Sequence, residues 1–570
     1  MRSGIVFLTI TCVVLWSAPA FSAAILEGER FHPVQGEEGM AVTSHFLASK
    51  FALDVLQKGG NAVDAAVTAA FTLAVVQPRS GNIGGGGLML YSSVRDDRVY
   101  AIDYREKAPM AATEKMFQNK AGEVEQDLSR FSHLAAGVPG TVAGLAMALE
   151  KFGTISLQEA MQPAITLAEN GFLVTPRFSD GLKAREKRLK KWPATRKLFY
   201  KENGAFYEPG DRFVQKELAA TLRRISANGY REFYEGETAG LIAREMAENG
   251  GLITKADMAA YTPVLREPVM GTYRGYDVYS MPPPSSGGAH IVQILNILEG
   301  FPMASYGHNS AQTIHLMAEA MKFAYADRSK YLGDEDFVAV PLAGLTSKKY
   351  AAKLRRQINA HKAIPSSSIS PGAPLPYESG ETTHFSIVDR DGNAVSNTYT
   401  INFSYGSGVV VGGAGFLLNN EMDDFSAKPG VPNAYGLIGG TANRIEPGKR
   451  MLSSMSPTLV KKDGKLVLVT GSPGGSRIIT TTLQIIMNLI DHDLNIQSAV
   501  SAPRIHHQWL PDELRVEEGL SPDTITLLEA KGHDVVQKSA MGASQSITVK
   551  DGVLLGGADP RRTTSLAEGF

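Results

Sequence analysis

The sequence predicts a layered α+β sandwich, because helix-period and strand-period stretches interleave without the strict alternation of a parallel α/β fold. Two further observations agree. Residues 157–260 read mostly helical with mixed charge, as a solvated outer layer does, and the chain after residue 382 is richer in strands and glycine. With 570 residues the chain can bury a sizeable core; that length ordinarily suggests several domains, although large α/β enzymes exceed this prior.

The elements follow in order. Arg2, an apolar run over 5–16 and small residues over 17–24 predict a secretory signal peptide, residues 1–23, cleaved between Ala20 and Ala24; an uncleaved anchor is the alternative, although the run is short for a membrane span. A short strand over 40–44 leads to helix patterns over 47–57 and 61–76, ended by Pro78. Gly81-Asn82-Ile83-Gly84-Gly85-Gly86-Gly87 precedes strand-like runs over 88–92 and 99–104. A strand over 273–279 precedes Pro282-Pro283-Pro284-Ser285-Ser286-Gly287-Gly288 and an amphipathic helix over 289–298. No repeat and no further membrane-length run is present.

Composition excludes several classes. Hydrophobic residues make up 43% and charged residues 20%, an ordinary soluble balance, and 57 basic against 58 acidic residues give no signal for nucleic acid or a membrane surface. The one cysteine, Cys12, lies in the signal segment, so the mature protein is expected to lack thiol nucleophiles, thiolate metal sites and disulfides.

The most informative junction is Thr382-Thr383-His384, where a Pro/Ser-rich loop over 363–381 gives way to a strand. Residues 385–388 alternate at period two, as a half-buried strand does, and 394–399 form a second run after the turn signal Asp391-Gly392. An odd-numbered loop centred on Asp391 sets position 382 opposite Thr400; a two-residue Asp-Gly loop sets Thr400 opposite Thr383 instead. A threonine exposed as a new N-terminus has a nucleophile and a base in one residue, since a free α-amine with a pKa of about 8 can take the hydroxyl proton. The threonines are also simply good strand formers, and the segment alone leaves both readings open.

Other motifs carry possible chemistry. A strand over 466–470 runs into Gly471-Ser472-Pro473-Gly474-Gly475-Ser476 and a helix over 478–489, so bare N–H groups could hold an anion or oxyanion. A tight structural turn is the rival; a phosphate cradle lacks its lysine. Ser453-Ser454 supply hydroxyls, and Asn419 to Phe425 gather amides and carboxylates suited to a substrate ammonium, although each cluster alone is more often a surface turn than a site. His506-His507 and His384 read as structural rather than metal-ligating, and no Gly-x-Ser-x-Gly elbow with a credible triad order occurs.

Together Thr382-Thr383-His384-Phe385-Ser386, the 420–425 and 452–457 segments and the 471–477 loop closely resemble the γ-glutamyltranspeptidases, also called glutathione hydrolases, of the bacterial secreted type. The segments 103–109, 281–288 and 323–334 extend the resemblance over nearly the whole mature chain. It implies a four-layer αββα sandwich of the N-terminal-nucleophile hydrolase type, and autocatalytic cleavage between Glu381 and Thr382. A large subunit, 24–381, and a small subunit, 382–570, would remain together as one intertwined heterodimer in the periplasm or outside the cell.

It further implies Thr382 as nucleophile, Thr400 orienting its hydroxyl, and Gly474 and Gly475 as oxyanion hole. Arg105, with Ser453 and Ser454, would clamp the substrate α-carboxylate. Asn402, Glu421 and Asp424 would hold the α-amino group, and Tyr435, in a lid over 429–440, would cover the bound glutamyl group. Glutamate at 421, where some bacterial members carry glutamine, would strengthen ammonium binding slightly. The implied partners are a small γ-glutamyl donor and water, an amino acid or a dipeptide as acceptor, with no cofactor, metal or nucleic acid. Two rivals share part of the signal: a related acylase acting on glutaryl or β-lactam side chains, which would not need the amino-acid clamp, and a non-enzymatic extracytoplasmic binding protein.

Overall fold

The computed structural model describes residues 32–372, 383–433 and 436–570. The signal segment with Cys12, the cleavage-site pair Glu381 and Thr382, and Tyr435 lie outside the described residues.

Two seven-stranded antiparallel sheets stack face to face. The first runs, edge to edge, Leu566–Gly569, Met40–Thr43, Thr383–Val388, Ala394–Thr400, Gly86–Ser93, Arg98–Tyr104 and Val264–Arg266. The second runs Val34–Gly36, Val553–Ala558, Gln545–Lys550, Lys465–Thr470, Thr458–Lys462, Tyr276–Ser280 and Val269–Tyr273. Both sheets interleave strands from either side of residue 382, so neither half of the chain owns a complete sheet.

Three cores make the four layers. Phe385, Ile387, Met89 and Tyr399 face outward onto the helices Phe46–Gln57, Ala62–Val76 and Leu157–Asn170. Val42, Leu88, Leu90, Leu459, Val469 and Ile547 fill the space between the sheets. Val460 and Leu468 face the opposite way, onto Gly287–Leu298, Ala311–Tyr331 and Arg477–Ile490. The expected αββα sandwich is therefore present.

Helix starts follow local chemistry. Asn61 caps Ala62–Val76, accepting from Val63 N and Asp64 N, while the Asp64 side chain reaches back to Asn61 N at 2.8 Å. The 157–260 stretch does form an outer helical layer, with Ala160, Met161, Ala164, Ile165 and Ala168 as the buried stripe of Leu157–Asn170.

Four local expectations change. The strand at 385–388 begins at Thr383 and is buried on both faces, because helices cover one side and the second sheet the other: Ser386 Oγ donates to Gln545 O at 2.8 Å. The run over 273–279 is a hairpin, turned at Arg274 and Gly275, whose φ values of 49° and 83° suit a two-residue loop. The helix over 289–298 begins at Gly287 and is buried on every side, so it is not amphipathic. The 21-residue helix Ala311–Tyr331 lay outside the predicted elements.

Candidate active site

The site is built on the hairpin after residue 382. Its pairs run from Thr383↔Tyr399 to Val388↔Ala394, the register of an odd-numbered loop centred on Asp391. Asp389 sets that loop: its Oδ1 accepts from Asp391 N at 3.0 Å and Asn393 N at 2.9 Å, while Gly392 takes φ 84°. Thr400 ends the second strand, buried. Its Oγ1 accepts from Asn402 N at 2.7 Å, which directs the remaining O–H elsewhere.

Asn82 and Gly85 hold this strand end. Asn82 Nδ2 donates to Thr400 O at 2.8 Å, and a Cβ on Gly85 would overlap that same carbonyl. Gly86 likewise leaves room for Glu106, whose Oε2 would lie 2.5 Å from an added Cβ. The run 81–87, which the sequence showed without a role, therefore packs the backbone against the site.

Beside it lies a fully buried charge cluster. Arg105 Nη1 is 2.7 Å from Glu421 Oε2 and 3.3 Å from Glu106 Oε2, and Nη2 is 2.6 Å from Asp424 Oδ2. Arg105 Nε donates to Met451 O at 3.1 Å. A substrate carboxylate would thus reach Arg105 only by displacing one of these partners. Asn402 Nδ2 donates to Asn420 O at 3.0 Å and stands 3.5 Å from Asp424 Oδ1, so it joins the same group.

One guanidinium among three carboxyls leaves a surplus of negative charge. Burial pushes Glu106 up to about 7 against the pull of Arg105, and drives Glu421 well above the carboxylate range, with Glu106 and Asp424 adding to the rise. Asp424 is raised as well, by burial, with Arg105 opposing. Protonated Glu421 resembles a glutamine in charge, which narrows the gain expected from glutamate at this position. An entering ammonium would displace the retained proton.

Ser453 and Ser454 are buried beside the cluster. Ser453 Oγ accepts from Met455 N at 3.1 Å, and Ser285 Oγ donates to Ser453 O at 3.2 Å, docking the 281–288 turn against them. Ser454 Oγ accepts from Arg328 Nη2 at 3.3 Å. Arg328, a second buried arginine that helps lower Asp424, was missed as an individual residue, although its segment belonged to the resemblance. One turn away, Tyr325 donates its hydroxyl to Ser476 O. The helix Ala311–Tyr331 thus fixes both the serine pair and the end of the glycine loop.

In that loop Gly474 and Gly475 have φ values of 145° and 66°, conformations that glycine enters freely. The loop opens the helix Arg477–Ile490. Gly471 packs on the His384 ring, 2.6 Å from an added Cβ. His384 bonds Thr398 Oγ1 at 2.9 Å and Ser386 Oγ at 3.1 Å, and burial lowers it to about 3. It is a neutral spacer between the two sheets.

Other groups lie apart. Asp423 turns away to accept from Ser129 Oγ at 2.5 Å. His506 bonds Thr480 and Gln508, and His507 pairs with Asp512 at 3.2 Å, which fits the structural reading of both. His315, Glu319 and His533 bring possible ligand atoms within 4.8 Å of one another, but Lys322 Nζ sits 2.8 Å from Glu319 Oε1 and opposes a cation there.

Stacked sheets between two helical layers, with a threonine-bearing strand at the centre, are the architecture of N-terminal-nucleophile hydrolases. The γ-glutamyltranspeptidase family model matches residues 48–569. The chain is 54% identical to the glutathione hydrolase proenzyme of Escherichia coli K12, over 98% of each chain. Its fold resembles the crystal structure of cephalosporin acylase from Bacillus halodurans, with TM-score 0.85, 30% identity, and 98% of this chain and 99% of that chain covered. It also resembles a chain of Helicobacter pylori γ-glutamyltranspeptidase at TM-score 0.58 and 48% identity, over 58% of this chain and 95% of that one. The protein belongs to the γ-glutamyltranspeptidase family of enzymes.

Proposed function

We propose that this protein hydrolyses the γ-glutamyl amide bond of glutathione and related compounds, and transfers the γ-glutamyl group to amino acids or dipeptides, through an ester on Thr382. The precursor first cleaves itself between Glu381 and Thr382, and the two parts stay interleaved. The observation that supports this reading is the buried Arg105–Glu421–Asp424 cluster, of a chemistry suited to a zwitterionic amino-acid head and linked to Thr400 through Asn402.

In the first step the Thr382 hydroxyl attacks the γ-carbonyl and its proton passes to the Thr382 α-amine. Thr400 donates its spare O–H toward the nucleophile, and the N–H groups of Gly474 and Gly475 stabilise the oxyanion. Collapse breaks the C–N bond, and the departing amine takes the proton. Water or an acceptor amine then repeats the sequence on the ester. Asn402, Glu421 and Asp424 hold the α-ammonium; Arg105, Ser453 and Ser454 hold the α-carboxylate, and Tyr435 covers the head.

The leader over 1–23 supports a periplasmic or secreted location, and among the described residues no helix is long and apolar enough to cross a membrane. Paired assays test the reading. A γ-glutamyl anilide should be cleaved at a kcat/KM at least a hundredfold above that of a glutaryl anilide, which lacks the α-amino group. Preference for the glutaryl compound would favour the acylase alternative.

A further inference from the structure

Arg105 has little left to give an incoming anion. Its guanidinium donates to Met451 O at 3.1 Å, Glu106 Oε2 at 3.3 Å, Asp424 Oδ2 at 2.6 Å and Leu452 O at 3.3 Å, and it pairs with Glu421 Oε2 at 2.7 Å. A guanidinium has only five N–H groups, so this chain already engages it all round. The carboxyls gathered on it also leave the cluster short of positive charge. A substrate α-carboxylate entering here therefore needs a donor and a cation beyond those of Arg105.

Arg328 stands behind the serine pair with both. It lies on the helix Ala311–Tyr331, 1% exposed, and its Nη2 donates to Ser454 Oγ at 3.3 Å. The Tyr325 ring, one turn away on the same helix, lies 5.8 Å from the guanidinium carbon, a cation–π contact that helps fix the side chain. Burial raises Asp424, and Arg105 and, more weakly, Arg328 oppose that rise, so the charge of Arg328 reaches the cluster. Because Ser454 Oγ accepts from Arg328, its own O–H is left to donate, and among the described residues it donates to none. A hydroxyl that accepts from a cation is polarised into a stronger donor.

We infer that Arg328 is a positioning residue for the head group: its donation to Ser454 directs that hydroxyl's proton to the substrate α-carboxylate and sets a second positive charge behind it. The inference rests on the γ-glutamyl reading above. It makes selection of donors with a free α-carboxylate depend on Arg328, while the chemical step at Thr382 does not.

The test compares kcat/KM for a γ-glutamyl anilide with that for the same anilide whose α-carboxylate is an amide. Wild type should prefer the acid. In Arg328→Gln that preference should fall about tenfold, through KM rather than kcat, as loss of a charge-assisted hydrogen bond to the bound substrate does. Arg328→Lys, which keeps the cation, should recover part of it. Ser454→Ala should lose the preference to the same extent, and adding Arg328→Gln should then cost little more, since one residue acts through the other. A merely structural role would slow both donors alike. Equal falls for both donors in Arg328→Gln, additive losses in the double variant, or no preference in wild type would overturn the inference. Should Arg328→Gln not fold, the other two single variants decide: an intermediate preference in Arg328→Lys with a lost one in Ser454→Ala supports the inference, and a wild-type preference in either contradicts it. A wild-type enzyme inactive on both anilides would instead remove the γ-glutamyl reading, and the inference with it.

Discussion

The amide of Asn402 donates to the hydroxyl of Thr400 across 2.7 Å, so the strand end fixes which way that hydroxyl can give its own proton. Asn402 holds φ 65°, a left-handed conformation that asparagine tolerates, and from there its side chain joins the Asp424 cluster. One residue thus links the nucleophile's expected neighbour to the expected head-group receptor.

Thr400→Ala should fold yet process and turn over about tenfold to a hundredfold more slowly, as roughly 1.5–3 kcal/mol of a hydrogen bond to a developing charge implies. Thr400→Ser should recover most of the rate. The time course of precursor disappearance on a denaturing gel reads processing, and wild-type rates in the alanine variant would remove Thr400 from the site.

Because burial keeps the Glu421 carboxyl well above its ordinary range, Glu421→Gln should change KM by no more than about threefold. Asp424→Ala removes the partner 2.6 Å from Arg105, and breaking such a buried pair should destabilise the fold by about 3–5 kcal/mol. Urea denaturation and donor kinetics on both variants check this pair of outcomes. A large KM rise in Glu421→Gln would show that this carboxylate is ionised and essential.

Gly85→Ala should leave a largely uncut precursor, since the new methyl overlaps the Thr400 carbonyl. Gly240→Ala is the matched control, its Cβ meeting Lys255 Cε at an ordinary 3.4 Å. Normal cleavage in Gly85→Ala would show that this strand end need not be held.

Acid should destabilise the protein before ordinary carboxylates titrate. Burial lowers His45, His290 and His315 to about 4, His384 and His533 to about 3, and His506 well below its usual value. The folded state therefore binds fewer protons than the unfolded state; this stability is complete above about pH 6.5 and is lost as pH falls toward 4 and 3. Glu106 and Glu421, both raised, oppose the trend in part of that window. The urea midpoint should drop between pH 7 and 5; a flat profile would contradict the neutral histidines.

The hairpin and the glycine loop were legible because each announces itself by a local break: Asp391-Gly392 between two strands, and glycines between a strand and a helix. The helix Ala311–Tyr331 was not, since most of its residues are buried on all sides and no amphipathic period survives. Arg328 went unnoticed with it. The turn at Arg274-Gly275 was hidden because tyrosines flank it at strand spacing on both sides. What no local pattern carries is the meeting of Arg105 with Glu421 and Asp424, more than three hundred residues away in sequence.

The central claim is that Thr382 is both the cleavage point and the nucleophile. Intact mass and N-terminal sequencing of the purified protein, in wild type and Thr382→Ala, test it most directly. Wild type should yield two chains, the smaller covering residues 382–570 and beginning at Thr382, and Thr382→Ala should remain a single inactive chain. A smaller chain beginning elsewhere, or cleavage in Thr382→Ala, would contradict it.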